Sequence, residues 1–200
     1  MTFMRGDHLT AAAATPLQAA RAARRELARM ARPAGDFDAR RYFRGAGDLA
    51  FYNVGTSAMR ALARSIHSVH RRRWSIDEAI AFADALITDR HLEVKSVGIE
   101  LVARYRRDFK PRLLHVWKRW LAENHSANWA TTDAICGSLI GPLIVRYPWL
   151  GPRMRAWARD GNMWVRRASI PRTTLRYAIE RFPEQKRRAL LTATRKPVRK

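Results

Sequence analysis

Asp89-Arg90-His91-Leu92-Glu93-Val94-Lys95 returns 71 residues later as Asp160-Gly161-Asn162-Met163-Trp164-Val165-Arg166. In both copies the aspartate is followed by a valine five places on and a base six places on. A third copy, centred on Asn128-Trp129-Ala130-Thr131, falls about halfway between them. A period of roughly 35 to 36 residues is that of HEAT-class helix pairs, each of which buries its apolar face only by stacking on the next. In such a stack the aspartate ends a loop and caps the second helix, the valine packs between repeats, and the base points to the concave face. The competing reading is an irregular helical bundle.

Helical periodicity extends outward from these stretches. Ser75-Ile76-Asp77-Glu78 has the form of a capping box and precedes a stripe at Ile76, Ala79, Ile80, Ala83 and Ile87. Further helices are predicted over 16–32, from Thr56 or Ser57 as cap to His70, over 92–106, 111–123, 128–146, 150–159, 163–170, 173–181 and 184–194, with a short one near Arg41 to Phe43. Alternating strand patterns with hairpin turns are missing. The expected fold is all-α: a superhelical stack of HEAT-like helix pairs (an α-solenoid), shortened near the C-terminus. Residues 1–15 read as a flexible leader, 16–185 as the HEAT-like repeat domain, and 186–200 as a basic C-terminal tail.

Charge narrows the partners. The 200 residues hold 39 Lys and Arg against 17 acids, a net charge of +22, and 47% are hydrophobic. A chain that apolar can build a core, and a charge that positive concentrates polyanions, of which nucleic acid is the usual one. A membrane is the other polyanion, but the longest apolar run, 134–145, is broken by Gly137, Ser138, Gly141 and Pro142. The single cysteine, Cys136, excludes an intrachain disulfide and fits a reducing compartment. The start lacks a secretory apolar core, so a cytoplasmic, nucleoid-associated protein is expected.

The chemistry-bearing stretch is Asn128-Trp129-Ala130-Thr131-Thr132-Asp133-Ala134-Ile135. Trp129 and Asp133 are four apart and share a helix face. An aromatic plane beside a carboxylate suits a cationic ligand or a cation that develops during reaction. In an arbitrary protein the pair is more often a core tryptophan beside an aspartate bridged to arginine.

The stretch resembles the Trp-x-x-x-Asp motif of bacterial DNA alkylation-repair glycosylases of the AlkD type. Phe51-Tyr52-Asn53-Val54-Gly55-Thr56 is similar to that family's N-terminal turn into a helix. Arg146-Tyr147-Pro148, Trp157 and Asn162-Met163-Trp164-Val165-Arg166-Arg167-Ala168 resemble later landmarks in the right order, over roughly residues 40 to 183. The resemblance implies a basic concave groove gripping double-stranded DNA, with no cofactor, no metal and no obligate protein partner. It implies a DNA glycosylase that hydrolyses the N-glycosidic bond of positively charged alkylated purines (3-methyladenine and 7-methylguanine type). Asp133 matches the catalytic carboxylate, Trp129 the aromatic that contacts the lesion nucleotide, and Arg167 a groove arginine near the lesion; Arg166 and Thr56 are implied DNA contacts. If the resemblance carries function, Asp133 is expected to be partly exposed and not locked in an ion pair. One departure stands out. The relatives continue the helix after Asp160 and add a repeat bearing a Gly-Trp, whereas here Ile170 runs straight into Pro171. The alternative function is therefore a non-catalytic HEAT-like protein that recognises DNA structure, and a third is a scaffold for an acidic protein.

The remaining candidates carry less. The six histidines show no metal-ligand spacing, and His67 and His70 read as solvated. Cys136 reads as packing, Trp117 and Trp120 as core, and Arg71-Arg72-Arg73 as a solvated or phosphate-facing loop.

Overall fold

Thr15 starts the first helix: its hydroxyl accepts from Gln18 N–H, and its own N–H donates to Gln18 Oε1 at 2.9 Å. This capping box sits at the last residue of the expected leader, where Pro16 supplies a first helical position that needs no donor. The computed structural model describes residues 14–35, 42–43 and 48–170, which fall into two compact units with the boundary between Asp108 and Phe109. The expected helices over 173–181 and 184–194, the tail, the chain beyond Ile170, most of the leader and Arg41 lie outside the described residues. Among the described residues all regular structure is helical; the one β-type contact is an isolated parallel bridge between Ala50 and His91.

The first unit holds α1 (Pro16–Arg29), α2 (Thr56–His70), α3 (Ile76–Ile87), α4 (Leu92–Val102) and a 3-10 turn, Ala103–Asp108. α3 and α4 form a hairpin closed by residues 88–91; α1 packs on α3 and α2 on α4. That is the layering of stacked helix pairs. The expected stripe of α3 is buried throughout. Gly98 lets α4 lie close on it: a Cβ there would come 3.3 Å from Ala83 Cα. This close approach offsets the roughly 1 kcal/mol that glycine costs in a helix interior. The Ser75 capping box forms as expected. α2 departs from expectation, because Gly55 and not Thr56 or Ser57 is its cap. The Gly55 carbonyl accepts from Ala58 and Met59, and Thr56 is the first helical residue.

The Phe51-to-Thr56 stretch is a strap. Tyr52 C=O accepts from Arg32 N–H, Val54 N–H donates to Glu93, and the Tyr52 ring stacks on His91 with centroids 3.9 Å apart. Asn53, at φ 56°, turns the strap and donates its side-chain amide to Arg32 C=O.

The second unit holds α5 (Leu113–Ala122), α6 (Trp129–Ile135), α7 (Gly141–Arg146), α8 (Gly151–Ala156) and α9 (Met163–Ala168). α6 and α7 are one helical run joined by a π turn, Cys136–Ile140, matching the long helix expected over 128–146. Pro142 explains the π turn. It lacks an N–H and its ring would clash with the carbonyl four residues back, so the helix widens and Gly141 N–H bonds to Cys136 C=O. Trp117 and Trp120 are fully buried, as expected of the core, and so is Cys136. Replacing either tryptophan by alanine would cost about 3–5 kcal/mol. α9 ends at Ala168; Met163 and Ile170, at its two ends, are exposed.

Candidate functional site

Asn128 fixes the start of α6. Its Oδ1 accepts from Thr131 N–H at 2.8 Å, and its amide donates to Ser126 C=O and to Thr131 Oγ1. Trp129 is then the first helical residue and Asp133 the fifth, so the two stand one turn apart on one face. Thr131, Thr132 and Ile135 are buried, which leaves Trp129 and Asp133 half-buried on the outer edge of the helix.

Asn162 performs the same task for α9, its Oδ1 accepting from Trp164 and Val165 N–H. Counting from the two asparagines, Arg167 occupies in α9 the place that Asp133 occupies in α6. α6 and α9 pack together, and the two residues meet. Arg167 Nε donates to Asp133 Oδ1 and Nη2 to Oδ2, both at 2.8 Å. This is a bidentate fork, the strongest geometry a carboxylate and a guanidinium can adopt. The hydrogen bond to Asp133 raises the Arg167 pKa above its ordinary value. The two side chains are 29% and 38% exposed, so solvent and ligands reach the pair.

The expectation of an unlocked Asp133 is corrected here: both of its oxygens are held by Arg167. The physical reason is placement: Asn128 and Asn162 set the two side chains at equal height on packed helices, which brings the guanidinium within reach of the carboxylate. Yet each carboxylate oxygen has two acceptor sites, and a fork uses one on each. The outer sites remain for a water.

Arg166 lies elsewhere. Its Nη1 donates to the carbonyls of Asp160 and Gly161, each at 2.8 Å, so it clasps its own turn. Lys95, its counterpart in the first unit, is buried and donates to Ile87 C=O at 2.8 Å. The expectation that the base of each repeat points outward to a groove is corrected by these bonds: a long cationic side chain reaches back to backbone carbonyls, Ile87 at the end of α3 for Lys95 and the turn residues Asp160 and Gly161 for Arg166. The expected capping role of the aspartates is corrected too. Asp89 and Asp160 each accept from the N–H two residues on, holding the turn, while Asn162 is the side-chain cap of α9. Thr56 is exposed in the first unit, on the first turn of α2.

Among the described residues no three His, Cys, Asp or Glu side chains are grouped as metal ligands would be. No described helix is long and apolar enough to cross a membrane. His70, expected to be solvated, is fully buried and stacked on Trp74 with centroids 4.1 Å apart; among the described residues neither ring nitrogen has a hydrogen-bond partner. Burial, helped by the charge of Arg73, lowers its pKa. The signal was present in the sequence: His70 and Trp74 are four apart, at the spacing that stacks side chains. Arg71, Arg72 and Arg73 are exposed, as expected.

Helix pairs in the first unit, and in the second a tryptophan, a carboxylate and an arginine on one half-buried edge, fit an α-helical repeat protein carrying a polar cluster. Comparison with protein-family models matches residues 23–193 to the DNA alkylation repair enzyme family. The chain belongs to that family, and its role is in DNA alkylation repair. No curated protein matches it.

Proposed function

We propose that the chain is a DNA glycosylase that releases cationic alkylated purines from duplex DNA, with Asp133 as its catalytic carboxylate. The observation that carries this reading is the solvent-reachable Asp133–Arg167 fork one helical turn from Trp129. A cationic alkylpurine is already a good leaving group, so its departure needs no protonation of the base. Breaking the glycosidic bond leaves positive charge on the deoxyribose, as in other sugar-cleaving reactions with oxocarbenium-like transition states. Asp133 stabilises that charge and directs a water through its outer acceptor sites; Arg167 is the positioning residue that keeps the carboxylate aimed. Trp129 offers the aromatic face that attracts a cationic nucleotide.

The fork itself favours a second reading, a non-catalytic protein that recognises DNA structure, because it engages both oxygens of the carboxylate. Base release separates the two. Asp133→Asn keeps the shape and removes the charge. On one sample, base release from methylated duplex should fall at least about a hundredfold, the scale of losing one electrostatic stabiliser. Duplex affinity should hold, because phosphate contacts supply most of it. Melting should shift modestly, since a pair with about a third of each side chain in solvent contributes on the order of 1 kcal/mol. Wild-type protein that releases no base would overturn the catalytic reading and leave the second. Either reading requires duplex affinity that drops by orders of magnitude between about 50 and 200 mM salt.

A further inference from the structure

A second cluster in the same unit takes no part in the Asp133 site. Trp149 is 56% exposed, on the 3-10 turn Pro148–Leu150 that follows α7. The turn is firmly built. Leu150 is fully buried, prolines stand at 148 and 152, and Tyr147 donates its hydroxyl to Phe109 C=O at 3.2 Å. An indole on such a turn is held out in water, although burying it would be favourable. Its neighbours are cationic and aromatic by turns. The Arg153 guanidinium lies over the Trp149 ring at 5.6 Å, the Tyr147 ring meets Trp149 edge-on at 6.4 Å, and Arg146 lies over Tyr147 at 5.5 Å. From residue 134 to residue 159 the chain has four arginines, at 146, 153, 155 and 159, and no acid.

We infer that Trp149, Tyr147, Arg153 and Arg146 form a separate contact site for single-stranded DNA, in which an unpaired base stacks on Trp149 and its flanking phosphates bind Arg153 and Arg146. Single-strand sites combine a cationic track with aromatic faces for the bases, and such stacking tolerates any sequence. The rings decide between single strand and duplex. Inside a duplex every base face is already stacked, whereas an unpaired base has a free face for an outward-facing indole such as Trp149. The net charge of +22 and the two guanidinium groups lying over these rings set the sign of the ligand.

The test is equilibrium anisotropy with a fluorescein-labelled thymidine 15-mer and, separately, a labelled 15-base-pair duplex, at low salt. Trp149→Ala should weaken single-strand binding about tenfold, within the range that loss of one stacked base produces, and change duplex binding less than twofold. Trp149→Phe should stay within about threefold of wild type on the single strand, which also guards against a folding defect. Arg153→Gln should lower the slope of log affinity against log salt by about 0.7, the value for one phosphate contact on a single strand. Unchanged single-strand affinity in Trp149→Ala, equal losses on both DNAs, or a Phe variant as weak as the Ala variant would each overturn the inference. No base release enters the measurement, so an inactive Asp133 site leaves it standing.

Discussion

The turn into α4 and the turn into α9 are built alike and used differently. Asp89 Oδ1 accepts from His91 N–H at 2.9 Å, and Asp160 Oδ1 from Asn162 N–H at 3.0 Å. Each aspartate's other oxygen takes a base from a preceding helix: Arg24 of α1 for Asp89, Lys118 of α5 for Asp160. Three residues after each aspartate a helix begins, and Val94 and Val165 are both fully buried. The difference starts at the next residue. Lys95 is buried under the end of α3, whereas Arg166 clasps its turn in solvent. One place further on, Ser96 satisfies itself on Leu92 C=O, whereas Arg167 reaches across to Asp133. The repeat therefore supplies a structural turn in both units, and the residue just beyond the shared pattern is where the copies part: Ser96 bonds within its own helix and Arg167 pairs with Asp133.

The sharpest way to break that equivalence is to remove the two aspartates in turn. Asp89 is the more enclosed. Burial pushes its pKa up, but the His91 N–H, the Arg24 guanidinium and the His91 ring outweigh burial and hold it below the usual carboxylate range. Asp89→Ala strands Arg24 and frees the turn, and should cost about 2–4 kcal/mol, as for breaking an enclosed pair. Asp160 is also held low, chiefly by the Asn162 N–H and by Lys118. Its carboxylate is slightly more exposed (22% against 16%) and lacks the ring partner that Asp89 has in His91, so Asp160→Ala should cost less, about 1–2 kcal/mol. Urea unfolding of both variants measures the gap; equal costs would mean that the two turns are equally enclosed.

The common turn was legible because it rests on residue identity at fixed spacing: aspartate, valine, base. The helices were legible for the same reason, from the Ser75 box and the stripe from Ile76 to Ile87. Side-chain direction was not. Whether Lys95 and Arg166 face outward or reach back depends on which carbonyls the preceding helix leaves open, and spacing alone does not give that. Asp133 and Arg167 were each singled out, but their pairing follows only when Asn128 and Asn162 are aligned as caps, which sets the two residues at the same height. The π turn is a consequence of Pro142, whose effect on a long helix can be a break, a kink or a widening.

Lys95 sharpens the comparison through pH. Burial pushes its amine down to about 8, only partly opposed by the charge of Asp89. Below pH 8 the amine is protonated in both folded and unfolded chains, and the fold bears the cost of burying the charge. Between about pH 8 and the ordinary lysine value near 10.4 the unfolded chain binds the extra proton, so stability rises with pH. From pH 7.5 to 9.5 the wild type should gain on the order of 1 kcal/mol relative to Lys95→Met, measured by urea unfolding at each pH. Parallel pH profiles for the two proteins would show that the amine titrates as if exposed.

Arg166 should give the smallest effect, and its size tests whether the two bases do the same work. Arg166 makes two hydrogen bonds to backbone carbonyls, but through one nitrogen and at the surface, where water replaces both when the side chain is removed. Asn162 still caps α9 through the N–H groups of Trp164 and Val165, and Asp160 still holds the N–H of Asn162. The turn therefore keeps its own closure without the guanidinium. Arg166→Ala should cost about 0.5 kcal/mol, the low end for a solvent-exposed hydrogen-bonding group. Lys95→Ala, by contrast, both empties buried volume and leaves the Ile87 carbonyl without the amine, and should cost several times more. Both are read as the shift in urea midpoint at constant slope. If Arg166→Ala proved as costly as Lys95→Ala, the surface clasp would be as essential to its turn as the buried one, and the distinction drawn between the two copies would fail at the residue where it begins.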